Sequence, residues 1–212
     1  MKTIKINVYE FSELDDKVQA QLIEQEKMDL LEFLEMDLFK DYAHEKIKEA
    51  GFGSDVDALE YSLSYSQGDG VAFYGTVYED ETAVLFDEFL QEKNISITEE
   101  FAQFIKDNTY FEIVRNHWGH RYSHYNTMDI EIQNDYFLEK IEEFTEFKTA
   151  EEGHEKVDSL LNDFSVFLKK KVQKLSHELE AIGYEYIEDQ TSNETAIENL
   201  KYNYYTIDGV LV

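Results

Sequence analysis

Three of the six histidines of the chain fall within one short segment, HWGHRYSH at positions 117–124. If Trp118–Gly119 is a two-residue turn, this segment is the tip of a β-hairpin. Alternation along the strands then puts six side chains on one face, as three cross-strand pairs: His117 with His120, Arg115 with Tyr122, and Ile113 with His124. Histidine changes charge near neutral pH, so this composition suits general acid–base catalysis.

One interpretation of this hairpin is an enzyme that processes a small molecule or a nucleotide, with the candidate catalytic residues His117, His120, Tyr122, His124 and Asp69. The sequence contains no nucleophile motif, no phosphate-binding glycine loop and no cofactor fingerprint. The other interpretations are a polar, aromatic recognition patch and structural histidines bonded to neighbouring acids. A non-enzymatic protein is therefore favoured, and no cofactor is expected.

A metal site is disfavoured by the spacing of the same histidines. Residues four apart on a strand, such as His120 and His124, are separated by about 13 Å. Nitrogen ligands must lie ~2.0–2.1 Å from a shared zinc ion. His117 and His120 could share an ion as a cross-strand pair, but the sequence offers no third ligand. The chain has no cysteine, which excludes disulfides and thiolate sites and is typical of a reducing compartment.

A second hairpin is predicted where two glycines surround one aspartate, in YSLSYSQGDGVAFYG at 61–75. Glycine allows positive φ, so Gly68–Asp69 is predicted as a two-residue turn. Gln67 then lies opposite Gly70, with the pairs Ser66–Val71 and Ser64–Phe73 behind it. The motif is either plain turn chemistry or a contact site for a ligand or partner, with the candidate binding residues Gln67 and Asp69.

The net charge of the chain is its strongest compositional feature. It has 47 acidic and 19 basic residues, a formal charge of −28. Since duplex DNA carries one charge per ~1.7 Å, this equals the charge on about 14 base pairs. Such a chain is repelled by nucleic acids and anionic membranes. The acidity indicates either a solubilising, salt-adapted surface or a surface that competes with nucleic acid for a basic groove.

Periodicity predicts the elements that carry these residues. A strand at 3–11 precedes a capping box at Ser12 and Asp15. Helical spacing then continues to Ala50, as one long helix or as two with a bend near Lys27–Asp29. Short helices are predicted at 80–94, 98–108 and 192–201, and a long helical region from Asn134 to a stop at Gly183. The apolar face of the first helical region consists of Leu14, Val18, Leu22, Leu30, Leu31, Leu34, Leu38, Tyr42 and Ile47.

The opposite faces of the two long helical regions are acidic. We expect these carboxylates to form a binding surface, with Glu24, Asp29, Glu32, Glu35, Asp37, Asp41 and Glu45 in the first region and Glu139, Glu142, Glu143 and Glu146 in the second.

Together these elements predict one α+β domain over residues 1–212, an antiparallel sheet of hairpins packed against long acidic helices. The alternative is a boundary near Asn134, between a strand-rich part at 1–133 and a helical part at 134–212 with a terminal hairpin turning at Asp208–Gly209. No stretch approaches the ~20 apolar residues of a membrane span, and the N-terminus lacks the apolar run of a signal peptide. We expect a cytoplasmic protein.

Several of these segments resemble a family of small phage and prophage proteins. The resemblance covers roughly residues 1–135 and is carried by FSELDDKVQAQLI, SYSQGDGVAF and HWGHRYSHYNTMDIEI. The sequence departs from the family at Ser64–Tyr65, where relatives often have an aromatic residue or cysteine, and in its heavier acidity. Members are labelled hypothetical proteins or antitoxins of a toxin–antitoxin stability system. The resemblance implies a protein that acts on host machinery in the bacterial cytoplasm.

The expected function is that of an acidic phage-type protein that inhibits a nucleic-acid-binding host protein, a defence nuclease or a toxin, by DNA mimicry. It would be anti-CRISPR, antirestriction or antitoxin-like, with no direct contact to nucleic acid or membrane. The alternatives are the enzyme described above and a structural or assembly component of a phage particle. The sequence predicts no oligomeric state.

Overall fold

The computed structural model describes residues 7–53, 55–56, 58–116, 124–134 and 149–212. Its helices are α1 (Asp16–Glu32), α2 (Asp37–Glu49), α3 (Glu79–Lys93), α4 (Glu99–Asp107), α5 (Ala150–Gln190) and α6 (Asn193–Leu200). Its strands are β1 (Tyr9–Glu10), β2 (Ala58–Ser62), β3 (Gly70–Val77), β4 (Tyr110–Arg115), β5 (Met128–Gln133) and β6 (Tyr204–Tyr205). Both sheets are antiparallel and are accompanied by helices, so the fold is α+β as predicted.

The chain divides into two compact units. The first comprises Met1–Leu38 and Ile182–Val212, and the second comprises Phe39–Ala181. The alternative boundary near Asn134 lies inside the second unit rather than at its edge, while the single domain over 1–212 stays a prediction. Among the residues described, no helix is long and apolar enough to cross a membrane.

The first unit is built around a small apolar core beneath α1. Phe11, Leu14, Leu200 and Tyr205 are buried there, with Tyr9, Val18, Leu22 and Ile23 packed against them. Asp15 caps α1 by accepting a hydrogen bond from the Lys17 amide at 3.0 Å. The predicted capping box is therefore wrong, because Ser12 lies in a 3-10 turn and Asp15 is itself the N-cap.

The first helical region forms two helices, which is one of the two arrangements predicted from the sequence. The interruption between them lies later in the chain than the predicted Lys27–Asp29. It spans 33–36, where the Tyr186 hydroxyl donates to the Glu35 carbonyl at 2.9 Å. The Glu35 carbonyl lies between the two helices, and the Tyr186 hydroxyl provides it with a hydrogen-bond donor. The N-terminal strand is described only at Tyr9–Glu10, where it pairs with β6. The predicted terminal hairpin is present, but its turn is not at Asp208–Gly209: the Gly209 amide donates to the Thr206 carbonyl at 2.9 Å and Tyr205 bridges to Leu211, so Ile207 and Asp208 form the turn.

The second unit contains the four-stranded sheet, in the order β2-β3-β4-β5. Burial alternates on β4, where Phe111 and Ile113 are buried and Glu112 between them is partly exposed. Gly75 of β3 lies directly against the backbone of Asp55 and Val56, so a side chain at that position would overlap them. A layer of phenylalanine rings packs between helices, with Phe86 and Phe89 each about 5 Å from Phe164 between ring centres (5.2 and 5.3 Å).

The short helices predicted at 80–94, 98–108 and 192–201 are confirmed as α3, α4 and α6. The stop predicted at Gly183 is wrong, because α5 continues without interruption to Gln190. Within a helix, glycine costs only about 1 kcal/mol relative to alanine, which neighbouring turns can offset. Of the helical region predicted from Asn134, residues 135–148 lie outside the described residues.

Candidate functional site

Helix α1 stands out because none of its residues is buried. The sequence pattern placed Leu31 on an apolar face, which globular proteins normally bury, yet its exposed fraction is 55%. The same holds for Leu38 at the start of α2, which is 71% exposed. The prediction of one continuous apolar, buried face through both helices is therefore wrong at these positions: Leu31 lies on α1, which has no buried residue, and Leu38 lies beyond the interruption at 33–36.

A groove with a volume of about 470 Å³ lies at this interruption. We call it the α1 groove. It is confined to the first unit and is lined by Glu26, Asp29, Leu30, Phe33, Leu34, Glu35, Asp37, Leu38, Tyr186 and Gln190. Phe33, at the C-terminal end of α1, is 76% exposed. An apolar floor is thus open to solvent beside several carboxylates.

Charge in the α1 groove has a single sign. Four of its lining residues are acidic and, among the described residues that line it, none is basic. Glu26 accepts a hydrogen bond from Asn199 of α6 at 3.0 Å, which ties α1 to the C-terminal part of the same unit. The groove can therefore bind a cationic group through Asp29, Glu35 and Asp37 while an apolar group contacts Phe33 and Leu38.

The predicted acidic binding residues divide between the two units. Glu24, Asp29, Glu32, Glu35 and Asp37 belong to the first unit, and all five are exposed. Asp41 and Glu45 of the second unit are exposed as well. Glu24 lies 3.6 Å from the Lys27 ammonium. The remaining candidates, Glu139, Glu142, Glu143 and Glu146, lie outside the described residues.

The SQGDG segment forms a longer loop than the sequence predicts. β2 ends where Ser62 pairs with Gly70, and Tyr61 rather than Ser66 lies opposite Val71. Leu59, not Ser64, faces Phe73. The two-residue turn at Gly68–Asp69 is therefore wrong, and residues 63–69 form the connection. Gln67 is exposed in this loop, without the predicted pairing to Gly70.

The carboxylate of Asp69 organises this loop. It accepts the backbone N–H of Ser64 at 2.6 Å and that of Ser66 at 2.8 Å. It also accepts the hydroxyl of Ser62 at 2.9 Å and that of Ser64 at 3.1 Å. These bonds hold Tyr65 in a left-handed conformation with φ of 57°. Asp69 is thus a positioning residue in its own turn, a role that accounts for the serines around it.

The histidine hairpin exists, but with a different register. Ile113 pairs with Ile130 and Arg115 with Met128, so the pairing of Ile113 with His124 is wrong. The Asn116 amide donates to the Thr127 carbonyl at 2.8 Å, which extends the connection beyond the predicted two residues. His117, His120 and Tyr122 lie outside the described residues, as does the turn at Trp118–Gly119.

His124 caps a 3-10 turn instead of lying in a strand. Its Nδ1 accepts the Asn126 amide at 3.1 Å, and its carbonyl accepts the Thr127 hydroxyl at 2.7 Å. The ring packs edge-on against Tyr125, whose ring contacts that of His177 of α5 in a tilted arrangement at 4.2 Å between ring centres. These contacts indicate that His124 has a structural role. Within the described part of the chain, no group of three or more His, Cys, Asp or Glu side chains could hold a metal ion.

Arg115, expected to face Tyr122, instead contacts groups on β2 and β3. Its guanidinium pairs with the Glu60 carboxylate and lies over the Tyr74 ring at 5.2 Å. The Tyr74 hydroxyl is bonded to Thr127 at 3.0 Å, so the ion pair and the 3-10 turn share one polar network. Sequence reasoning missed this network because it depends on the register of three strands.

A family model matches the chain from residue 33 to residue 196, which is well over half of its length. The chain belongs to the family described as a domain of unknown function, DUF8835. No curated protein and no solved structure matches the sequence significantly. The family match includes the Asp69 loop, the four-stranded sheet and the α2 side of the α1 groove, whereas α1 precedes it.

Proposed function

We propose that this DUF8835 protein binds a basic, nucleic-acid-binding protein of a bacterial host and blocks its nucleic-acid site. The observation that carries the proposal is the α1 groove, where exposed carboxylates occur with no basic residue among those lining the groove. A basic cleft made for phosphates would attract such a surface, and the net charge of −28 would speed the encounter. The partner would be a defence nuclease or a toxin, inhibited in an anti-CRISPR, antirestriction or antitoxin-like manner.

The cellular context of this proposal comes from the resemblance of three segments to phage and prophage proteins. Such a protein would act in the bacterial cytoplasm, where host nucleases and toxins meet nucleic acid. It would not touch nucleic acid itself, because its charge repels phosphates.

The enzyme and the phage-particle component stay predictions with less support. As catalytic residues, Asp69 and His124 would have to face a substrate. Asp69 instead accepts hydrogen bonds from its own loop, and His124 caps its own turn. The remaining candidate catalytic residues lie in the part of the chain that is not described.

A charge-removal variant tests the proposal. Asp29→Asn, Glu32→Gln, Glu35→Gln and Asp37→Asn would remove four charges on and beside the α1 groove while keeping side-chain size. The matched control, Glu79→Gln, Asp80→Asn, Glu99→Gln and Glu100→Gln, would remove four exposed charges from the second unit. Circular dichroism would verify that both variants fold.

The measurement is retention of DNA-binding proteins from a bacterial lysate on the immobilised protein. We expect the wild type and the control to retain such a protein, and the groove variant to lose it. A duplex of about 14 base pairs, which matches the net charge, should release the bound protein, as should a rise in salt. Retention that is insensitive to both the duplex and the salt would contradict the proposal.

A further inference from the structure

The α1 groove contains exposed apolar side chains, which a mimic of phosphate groups does not need. Phe33 and Leu38 are mostly exposed and line a hollow whose volume lies within the roughly 300–1,000 Å³ typical of binding clefts. Exposed single apolar residues are common, but several around one concavity mark interaction sites. Leu30 and Leu34 add to the apolar lining of the same groove. The groove therefore has a floor suited to an apolar side chain.

The rim of the groove determines which apolar group could enter. Asp29, Glu35 and Asp37 also line the groove, and their exposed carboxylates make its rim negative. A second copy of this chain would bring its own carboxylates to the same rim, because symmetric dimers pair identical patches. Like charges facing each other at an interface disfavour that assembly. The rim instead complements lysine or arginine next to the inserted apolar side chain.

An amphipathic segment would match both the apolar lining of the groove and its acidic rim. An amphipathic helix lays apolar residues at positions i, i+3, i+4 and i+7 into a groove and leaves its charged residues along the edges. Lysine and arginine at those edges would reach Asp29 on one helix and Asp37 on the next, which lie on the two sides of the interruption at 33–36.

We infer that the α1 groove docks a basic amphipathic helix of the partner protein, with an aliphatic or aromatic side chain inserted between Phe33 and Leu38. This inference rests on the proposed function and deepens it: the partner is held by an apolar anchor as well as by charge. Tyr186 is a positioning residue for the groove, because its hydroxyl fixes the Glu35 carbonyl at the interruption.

The probe is a synthetic helical peptide of about 14 residues, close to four turns, with leucine and phenylalanine on one face and lysine on the other. A scrambled peptide of the same composition has the same charge but no apolar face. Fluorescence anisotropy with the full-length protein should show roughly tenfold tighter binding of the amphipathic peptide. The difference should persist at high salt, where the attraction of the scrambled peptide is screened.

Two single variants test the anchor site, with one matched control. Phe33→Ala and Leu38→Ala should each remove the preference for the amphipathic peptide. Leu211→Ala shortens a leucine of similar exposure, 63%, outside the groove and should keep it. All three side chains are exposed, so folding should be unaffected. Equal binding of the two peptides, or an unchanged preference in Phe33→Ala and Leu38→Ala, would overturn the inference.

The two proposals fail in different ways. If the peptides bind equally but the charge-removal variant still loses its DNA-binding partner from lysate, the docking inference is wrong and the proposed function stands. If the amphipathic peptide is preferred but no retained protein is released by duplex DNA, the proposed function is overturned while the preference of the groove is supported.

Discussion

At the scale of single residues, Asp69 shows how a motif that could do chemistry can be used for architecture. Its Oδ2 accepts the amides of both Ser64 and Ser66, which lie beyond the end of β2, and its Oδ1 accepts the hydroxyls of Ser62 and Ser64. Hydrogen bonds to a charged group are about twice as strong as neutral ones. The loop therefore depends on this one side chain for its conformation.

We expect Asp69→Asn to destabilise the protein by about 1–3 kcal/mol, because the two backbone N–H groups that now bond a charged oxygen would bond a weaker, neutral amide oxygen. Thermal or urea unfolding of the purified protein would measure the change. Asp158→Asn is the control, since Asp158 is exposed on α5 and the same substitution should leave stability nearly unchanged. Equal stability of the two variants would contradict a role for Asp69 in holding the loop.

Sequence reasoning identified both hairpins but not their registers, and single residues explain why. The predicted tight turn at Gly68–Asp69 followed from glycine chemistry alone. The actual loop is fixed by hydrogen bonds between Asp69 and serines up to seven residues away, which compete with a tight turn. In the other hairpin, His124 and Thr127 form a local 3-10 turn that takes residues out of the ladder.

At the scale of elements, helix periodicity predicted where helices occur better than which of their faces is buried. α4 and α6 begin at capping residues: Thr98 accepts the Phe101 amide at 3.3 Å, and Ser192 accepts the Thr195 amide at 3.1 Å. The interruption between α1 and α2 has no glycine or proline to mark it. The Glu35 carbonyl at this interruption accepts a hydrogen bond from Tyr186, which is distant in sequence. No local sequence pattern could therefore predict the interruption or the α1 groove beside it.

The contact between β5 and α5 gives a pH-dependent prediction. Partial burial of the Asp129 carboxyl raises its pKa, but the Lys169 ammonium at 2.9 Å and the Ile130 amide outweigh this, and the pKa is lowered overall. A depressed carboxyl pKa contributes stability that is present above the unfolded-state pKa and is lost as pH falls through the folded-state value. In the wild type this contribution disappears in the acid range.

Lys169→Gln should therefore raise the pKa of Asp129, because the largest effect that favours the carboxylate is removed. Titration of the carboxyl ¹³C resonance by NMR would measure the shift. Lys170→Gln is the matched control, since Lys170 is the next residue and is exposed. The stability difference between Lys169→Gln and the wild type should shrink as pH falls below the folded-state pKa of Asp129. A pKa unchanged by Lys169→Gln would refute the pairing.

At the scale of the whole molecule, composition predicted the fold class and the character of the surface. The apolar fraction of 42% is sufficient for a core despite the charge, and the alternation of hairpins and helices predicted an α+β fold. Composition could not predict where charge and exposed apolar side chains coincide. That coincidence arises in the α1 groove because α1 packs on one side only, through Val18, Leu22 and Ile23.

The net charge of −28 should also govern stability, since carboxylates repel one another in the compact state more than in the unfolded chain. Ion pairs between exposed side chains, such as Lys174 with Glu178, offset little of this. Sodium chloride shortens the screening length from ~10 Å at 0.1 M to ~3 Å at 1 M. The melting temperature should therefore rise with salt, by roughly 2–4 °C for each kcal/mol of repulsion relieved.

Calorimetry across this range of salt measures the rise in melting temperature, which should level off as screening saturates. An effect of preferential exclusion of salt from the protein surface would instead keep growing with concentration. A melting temperature that falls with salt would mean that ion pairs outweigh repulsion, and the acidic surface would then be no electrostatic burden on the fold.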